Sequence, residues 1–324
     1  KLFTAESLGV NIVSRNKILA HLEAIIETKS ILAASRKLYV SQPSLSQYVK
    51  RLENDYGIAI FDRTSNPWKL TAEGEKLLQA QRQIEAIERE CRQYFADRKG
   101  LKTGEIVIGS TQYRTVTLLN PILSVFKSRY PGITVRIEEG TTLEAAQLAE
   151  NGRVDCAIVI TQMVPNTLDQ VPIYDEKVLV GLPPTHPYVD QHKPGADGVY
   201  PKIQITELKD TPFIIMKQGQ VFHNYFEHLC EKYQLNLPIA LETQSILTVP
   251  ALVGNGIGAA LIPSTIVQDC ERHRVALYSI GRDLPINEVS IAWKRDRYQS
   301  YATKGFIETA VEVSKTIRET GVSY

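Results

Sequence analysis

With 324 residues, 37 Lys/Arg against 36 Asp/Glu and a formal charge of +1, the chain is long enough for two or three domains with substantial cores, so disorder is not the expectation. That balance singles out neither nucleic acid nor an acidic substrate as partner. Its distribution says more: residues 1–71 carry ten Lys/Arg and six Asp/Glu, a net of +4, leaving 27 and 30, a net of −3, for the rest.

No apolar run approaches the length of a membrane span, and the first residues lack the apolar core and small-residue cleavage site of a signal peptide, so a cytoplasmic protein without membrane contact is expected. Cys91, Cys156, Cys230 and Cys270 lie far apart, with no C-x-x-C pair and no His at metal-ligand spacing. They read as free thiols in a reducing compartment, buried filler rather than redox sensors. No metal or cofactor is expected.

Residues 1–14 are given no role, and a DNA-binding domain is expected over 15–71. Residues 16–28 place Ile18, Leu19, Leu22, Ile25 and Ile26 at three- and four-residue spacings, one apolar helical face. Residues 31–38 form a second short helix. Ser41 is a good N-cap for a third, and Pro43 falls in its first turn, where a missing N–H needs no partner. That helix turns Leu45, Val49 and Leu52 inward and Gln42, Ser46, Gln47 and Lys50 outward. Two short helices and a tight turn, the second opening with small hydrogen-bonding side chains, make a helix-turn-helix able to enter a DNA major groove. A merely capped and solvated helix start would have the same periodicity.

Residues 57–70 favour the first. They read as two short extended segments around a Ser-Asn-Pro turn, a wing that carries Arg63 and Lys69 toward phosphates or a minor groove. With Ala33-Ala34, Leu38, Val40-Ser-Gln-Pro-Ser-Leu-Ser46, Leu52-Glu53, Gly57, Leu70-Thr71 and Gly74 in place, residues 17–75 resemble the N-terminal domain of LysR-type transcriptional regulators. The resemblance implies a winged helix-turn-helix on double-stranded operator DNA, with Gln42, Pro43, Ser46 and Gln47 facing bases and Arg63 reaching from the wing; Ser41 and Lys50 of the third helix and Lys69 of the wing are expected to join them at the DNA. Gln47, where the family often has Arg, Tyr48 beside it and Leu32, where Thr is frequent, bear on the operator sequence rather than the mode of binding.

Residues 72–98 contain no proline, and no glycine after Gly74, and they hold Leu77, Ile84, Ile87, Cys91, Tyr94 and Phe95 at helical spacing. Such a helix spans roughly 40 Å at 1.5 Å per residue. Its apolar stripe wants a partner helix, and the resemblance makes it the linker of a homodimer or homotetramer, with Leu77, Ile84, Ile87, Cys91 and Tyr94 on the seam. Packing on the chain's own second half is the alternative.

Residues 99–103 break the helix as a hinge, and 104–324 change texture. Strand-like and helix-like segments alternate as βαβ units: strand 105–109, helix 116–130, strand 133–138, helix 143–151 and strand 155–160, then a second set from about 178 to 280 and a return over 288–293 and 301–318. The fold class is therefore α/β behind a mainly α winged domain and linker helix. The resemblance implies two subdomains of periplasmic-binding-protein-like type, I over about 104–175 and 281–324, II over about 176–280, with an effector cleft between them.

Ligands of open α/β sheets sit beyond the carboxyl ends of strands. Three such junctions here are rich in hydroxyls and amides: Ser110-Thr111-Gln112, Thr141-Thr142, and Lys217-Gln218-Gly219-Gln220. Gln162, Arg114 and Gln244 are weaker candidates. Free N–H groups at helix starts favour an anion, most simply a carboxylate. Each Ser or Thr alone is an ordinary N-cap, and convergence on one mouth is what would make a site. Gly254-Asn-Gly-Ile-Gly258 lacks the G-x-G-x-x-G spacing and follows a helix, so it ends that helix rather than cradling a nucleotide.

Five histidines from His186 to His273 are scattered, and neither H-E-x-x-H nor G-x-S-x-G occurs. An enzyme reading would rest on fold analogy alone. A two-lobed solute-binding receptor would share the second half but would lack the wing and the front-loaded charge. The expected protein is a DNA-binding transcriptional regulator under the control of a small, anionic effector.

Overall fold

A computed structural model of the chain describes residues 6–65, 67–100, 102–194 and 199–320. Asn66 of the expected Ser-Asn-Pro turn, Leu101 of the expected hinge, and residues 1–5 and 321–324 lie outside the described residues. The chain divides into two compact units between Arg92 and Gln93.

The first unit opens with α1 (Glu6–Thr28), which starts upstream of the expected residue 16. Helices α2 (Ile31–Lys37) and α3 (Gln42–Tyr56) follow, with strands β1 (Phe61–Asp62) and β2 (Lys69–Leu70) and the long α4 (Ala72–Arg98). Ser41 is extended and accepts the Ser44 N–H at 3.3 Å, which starts α3, and Gly57 ends it at φ 66, a left-handed conformation that favours glycine. The β1–β2 pair is antiparallel, Phe61 against Leu70 and Asp62 against Lys69, and forms the wing. Leu19, Leu22 and Ile25 of α1 pack with Leu45, Val49, Leu52, Ile60 and Phe61. Leu77 and Leu78 belong to the same core, so the first turns of α4 are part of the winged domain. Gly74 lets α4 approach the wing strand: a Cβ there would sit 2.1 Å from the Ile60 carbonyl oxygen.

The second unit contains two five-stranded sheets. Its first subdomain runs β3 (Gly104–Ser110), α5 (Gln112–Arg114), α6 (Asn120–Arg129), β4 (Ile133–Glu139), α7 (Thr142–Glu150), β5 (Cys156–Ile160) and β6 (Leu168–Glu176). The second holds β7 (Val178–Leu182), α8 (Pro187–Gln191), β8 (Phe213–Met216), α9 (Val221–Tyr233), β9 (Ile239–Thr243), α10 (Val249–Gly254), β10 (Ala259–Pro263), α11 (Val267–Arg272) and β11 (Ala276–Ser279). The chain then returns to the first through β12 (Asn287–Lys294) and α12 (Tyr301–Thr320). Sheet orders are β4-β3-β5-β12-β6 and β11-β7-β10-β8-β9. In each, the parallel strands carry their carboxyl ends toward one edge, the edge beyond which ligands of open α/β sheets sit.

Two crossovers join the subdomains: Lys177, the single residue between β6 and β7, and the stretch between β11 and β12. The helix expected over 116–130 is instead interrupted by a π-turn at Thr115–Leu119, where the Asn120 N–H bonds the Thr115 carbonyl. Pro121 explains the interruption, because its ring has no N–H to give and crowds the carbonyl four residues back.

Candidate functional site

On the winged unit, Gln42, Pro43, Gln47 and Lys50 are exposed and Ser46 is half-buried, while Leu45, Val49 and Leu52 fill the core. Ser41 is occupied as the cap and lies 2.7 Å from the Ser44 hydroxyl. Arg63 donates from Nη2 to Glu53 Oε2 at 2.6 Å, and its guanidinium stands 5.4 Å from the centre of the Trp68 ring. Glu53 Oε1 also accepts the Ile60 and Phe61 N–H groups at 3.0 and 3.4 Å, which ties the wing to the end of α3. Lys69 is exposed on β2.

In the second unit, a cavity of about 550 Å³ opens between the two subdomains. Thr111, Gln112, Thr141, Thr142 and Gln220 of the expected set line it, with Gln244. Val221, Phe222, Ile246 and Leu247 give its second-subdomain wall an apolar surface. Three hydroxyls on the other wall each have an acceptor position filled by the protein. Thr111 Oγ1 takes the Arg114 N–H at 3.4 Å, Thr141 Oγ1 the Glu144 N–H at 3.2 Å, and Thr142 Oγ1 the Arg114 Nη1 at 3.2 Å. A hydroxyl used as acceptor keeps its own proton to donate. Two carboxylates share the rim: Glu144 closes a capping box on the Thr141 N–H at 2.7 Å, and Glu139 is exposed.

Behind this wall lies a buried polar network that the sequence reading did not assemble. Arg114 is 1% exposed and its Nη2 donates to Glu176 Oε2 at 3.2 Å; Glu176 is fully buried. Glu176 also accepts from the Tyr113 hydroxyl at 3.1 and 3.2 Å, Thr265 Oγ1 at 3.1 Å and Asn287 Nδ2 at 3.3 Å. Tyr225 donates its hydroxyl to Asn287 Oδ1. Among the described residues Arg114 Nε finds no hydrogen-bond partner. Burial drives the Tyr113 phenol well above its ordinary range, so it stays a donor. Burial opposes the charge of Arg114, but the Glu176 carboxylate it donates to offsets this and the guanidinium is held more firmly protonated. The only signal in the sequence was Arg114 itself, next to the first strand end. Its partner is 62 residues away.

Three expected cleft residues lie elsewhere. Ser110 is fully buried at the end of β3 and donates to the Thr111 carbonyl at 3.2 Å, because strand alternation and burial turn it into the sheet. Gln162 is exposed on the 3-10 turn after β5, and Gln218 is exposed in the turn before Gly219; neither lines the cavity. Of the expected seam residues, Leu77 is a correction: it is buried in the core of its own winged unit and has no face left for a partner helix. Ile87 is 62% and Tyr94 43% exposed, Cys91 is exposed and Ile84 partly so.

All four cysteines are free. Burial raises the Cys230 thiol, raises Cys156 well above its ordinary range and pushes Cys270 up to about 12, which suppresses the reactive thiolate at these three. Among the described residues no helix is long and apolar enough to cross a membrane.

Residues 17–75 match the family described as bacterial regulatory helix-turn-helix protein, lysR family, and residues 99–315 match the LysR substrate binding domain. A Bacillus subtilis (strain 168) relative named as the uncharacterized HTH-type transcriptional regulator YcgK is 23% identical over 94% of this chain and 96% of its own. Among solved structures, full-length CbnR complexed with its target DNA matches with a TM-score of 0.63 at 20% identity, over 91% of this chain and 98% of that one. The effector binding domain of QuiR in complex with shikimate matches with 0.55 at 18% identity, over 66% and 98%. At such identities these two speak for the fold. The family matches cover both units, and the chain belongs to the LysR family: a DNA-binding transcriptional regulator with an effector-binding domain.

Proposed function

We propose that the chain reads a DNA operator as a dimer or a dimer of dimers, in the cytoplasm, and that a small monocarboxylate in the cleft controls it. The observation that carries the ligand class is the trio of cleft hydroxyls whose acceptor positions are already filled by Arg114 and Glu144. What they offer a ligand is donors, joined by the N–H groups of the first turn of α7. An acceptor-rich end such as a carboxylate fits them. Glu139 and Glu144 on the rim disfavour a second negative charge, and Phe222, Ile246 and Leu247 suit an apolar or ring-shaped body.

In a thermal-shift series with shikimate, benzoate and citrate, each beside its methyl ester, a monocarboxylate should raise the melting temperature while its ester should not, since a ligand of the folded state stabilises it by mass action. Citrate should trail the monoanions. Thr111→Val and Thr142→Val should each weaken binding by about 10- to 150-fold, the loss expected of one charge-assisted bond. Operator binding without ligand should be almost unchanged. Stabilisation by the esters as much as the acids, or valine variants that respond like the parent, would remove the carboxylate from the reading.

For assembly, Ile87 and Tyr94 are large apolar groups left exposed on one long helix, and a second copy of that helix is the proposed cover. Ile84→Asp with Ile87→Asp would place like charges opposite their own copies across a two-fold seam. Light scattering should show dissociation to monomer at micromolar concentration, with operator affinity falling alongside. A folded dimer unchanged by both substitutions would place the interface elsewhere.

A further inference from the structure

We propose that the Arg114–Glu176 network is the coupling between the cleft and the hinge: an acceptor group that loads Thr142 is felt, through Arg114 and Glu176, at both crossovers and at the second subdomain. This rests on the reading of the cleft as an acid-binding site, and it assigns that site its output.

The connections form one continuous chain. Thr142 lines the cavity and its hydroxyl is held by Arg114 Nη1 at 3.2 Å. The same guanidinium holds Glu176 through Nη2 at 3.2 Å, and its Nε finds no partner among the described residues although the side chain is almost wholly buried. A carboxylate accepting the Thr142 proton adds a second negative pole close to this guanidinium, in competition with Glu176 for its donors. Glu176 is the last residue of β6, one residue from the start of β7, so its displacement acts directly on the first crossover. Its partner in the sheet is Asn287, the first residue of β12 and the end of the second crossover, and Asn287 Nδ2 donates to it at 3.3 Å. The two crossovers are therefore clamped side by side at this carboxylate.

The second subdomain holds the clamp at two points. Thr265, in the turn after β10, donates to Glu176 Oε1 at 3.1 Å, and Tyr225 of α9 donates to Asn287. The neighbouring Ser264 grips the crossover backbone as well: Ser264 N donates to the Lys177 carbonyl at 2.8 Å, and Lys177 N to Ser264 Oγ at 3.0 Å. On the first-subdomain side, the π-turn at Thr115–Leu119 directly follows Arg114, an irregular helical segment of the kind often found at functional sites. Neither Glu176, Thr265, Tyr225 nor Asn287 lines the cavity.

The test is hydrogen exchange by mass spectrometry on the full chain, with and without each of shikimate, benzoate and citrate. The parent is compared with the double variant Thr265→Val, Tyr225→Phe, which leaves the Arg114–Glu176 pair and the cavity lining in place. In the parent, a bound acid should slow exchange by about tenfold both at Thr142–Ala145 and at the distant segments 264–266 and 285–288, a coupling of ordinary size. In the double variant, protection at Thr142–Ala145 should persist while the change at the distant segments falls below about twofold. Glu176→Gln, which removes the charge that Arg114 answers to, should give the same split.

Distant protection as strong in the variants as in the parent overturns the coupling and leaves the acid-binding reading standing. So does protection in the parent confined to the cleft. If none of the three acids protects Thr142–Ala145 in the parent, the acid-binding reading fails, and the coupling with it.

Discussion

Arg114→Met should lower the stability of the chain by about 3–5 kcal/mol, because it strips the cation from a fully buried carboxylate and leaves that charge uncompensated in a low-dielectric site. Tyr113, Thr265 and Asn287 would go on donating to Glu176, so the loss should fall short of an isolated buried ion. Denaturant unfolding of the regulatory unit, followed apart from the winged unit by a local probe, measures it. The decisive comparison is Arg114→Met combined with Glu176→Leu. Taking out both charges removes the mismatch, so the double variant should be more stable than Arg114→Met alone; with Glu176→Leu and the parent it completes a cycle whose departure from additivity is the coupling energy of the pair. If Arg114→Met costs under about 1 kcal/mol, or the second substitution deepens the loss, then the pair does not carry the energy assigned to it.

The same variant bears on control by ligand. A buried ion pair is weak evidence for stability, since apolar residues of similar volume often do as well. On the coupling proposed above, the pair serves instead to set the positions of the two lobes. The Arg114→Met, Glu176→Leu chain should thus be folded and still bind its operator, yet respond weakly to any cleft ligand.

How much of this was legible in the sequence depended on how local each feature is. The winged unit was almost fully readable: the Ser41 cap, Pro43 in the first turn, the left-handed Gly57, and Gly74 against the Ile60 carbonyl all act within a few residues or at fixed offsets. Thr111, Thr141 and Thr142 were readable for the same reason, each being an N-cap or its neighbour at a strand end. Ser110 is one residue away and faces the opposite direction, a matter of strand parity that the hydroxyl-rich stretch conceals. Leu77 has the spacing of a seam residue, but only its place in the core it shares with Ile60 and Leu45 decides which surface covers it. Strand β6 escaped because Pro172 interrupts it, which is tolerated there only because β6 is the sheet edge. The Arg114–Glu176 pair spans 62 residues and two subdomains, and no periodicity carries such a partnership.

Replacing Gln42 and Ser46 together by Ala should cost about 2–6 kcal/mol in specific operator affinity, since each lost base contact is worth about 1–3 kcal/mol. Neither side chain belongs to the buried core of the winged unit, so circular dichroism and thermal unfolding should stay close to the parent. The loss should appear as blurred base preference among DNA fragments selected by the protein, while binding to arbitrary duplex persists, because phosphate contacts supply that part. Arg63→Ala should behave differently. It removes a cation that Glu53 and Trp68 hold in one orientation on the wing, so affinity should fall across all sequences, and the dependence of log K on log salt should flatten by about one if Arg63 meets a phosphate. Glu53→Gln is the intermediate case: the carbonyl oxygen that remains can accept the Ile60 and Phe61 N–H groups, but the charge that orients Arg63 is gone. It should weaken binding less than Arg63→Ala and leave base preference intact. A Gln42→Ala, Ser46→Ala protein that still selects the parent's fragments at full strength would move base reading off the start of α3, and Arg63 would then be the first alternative to test.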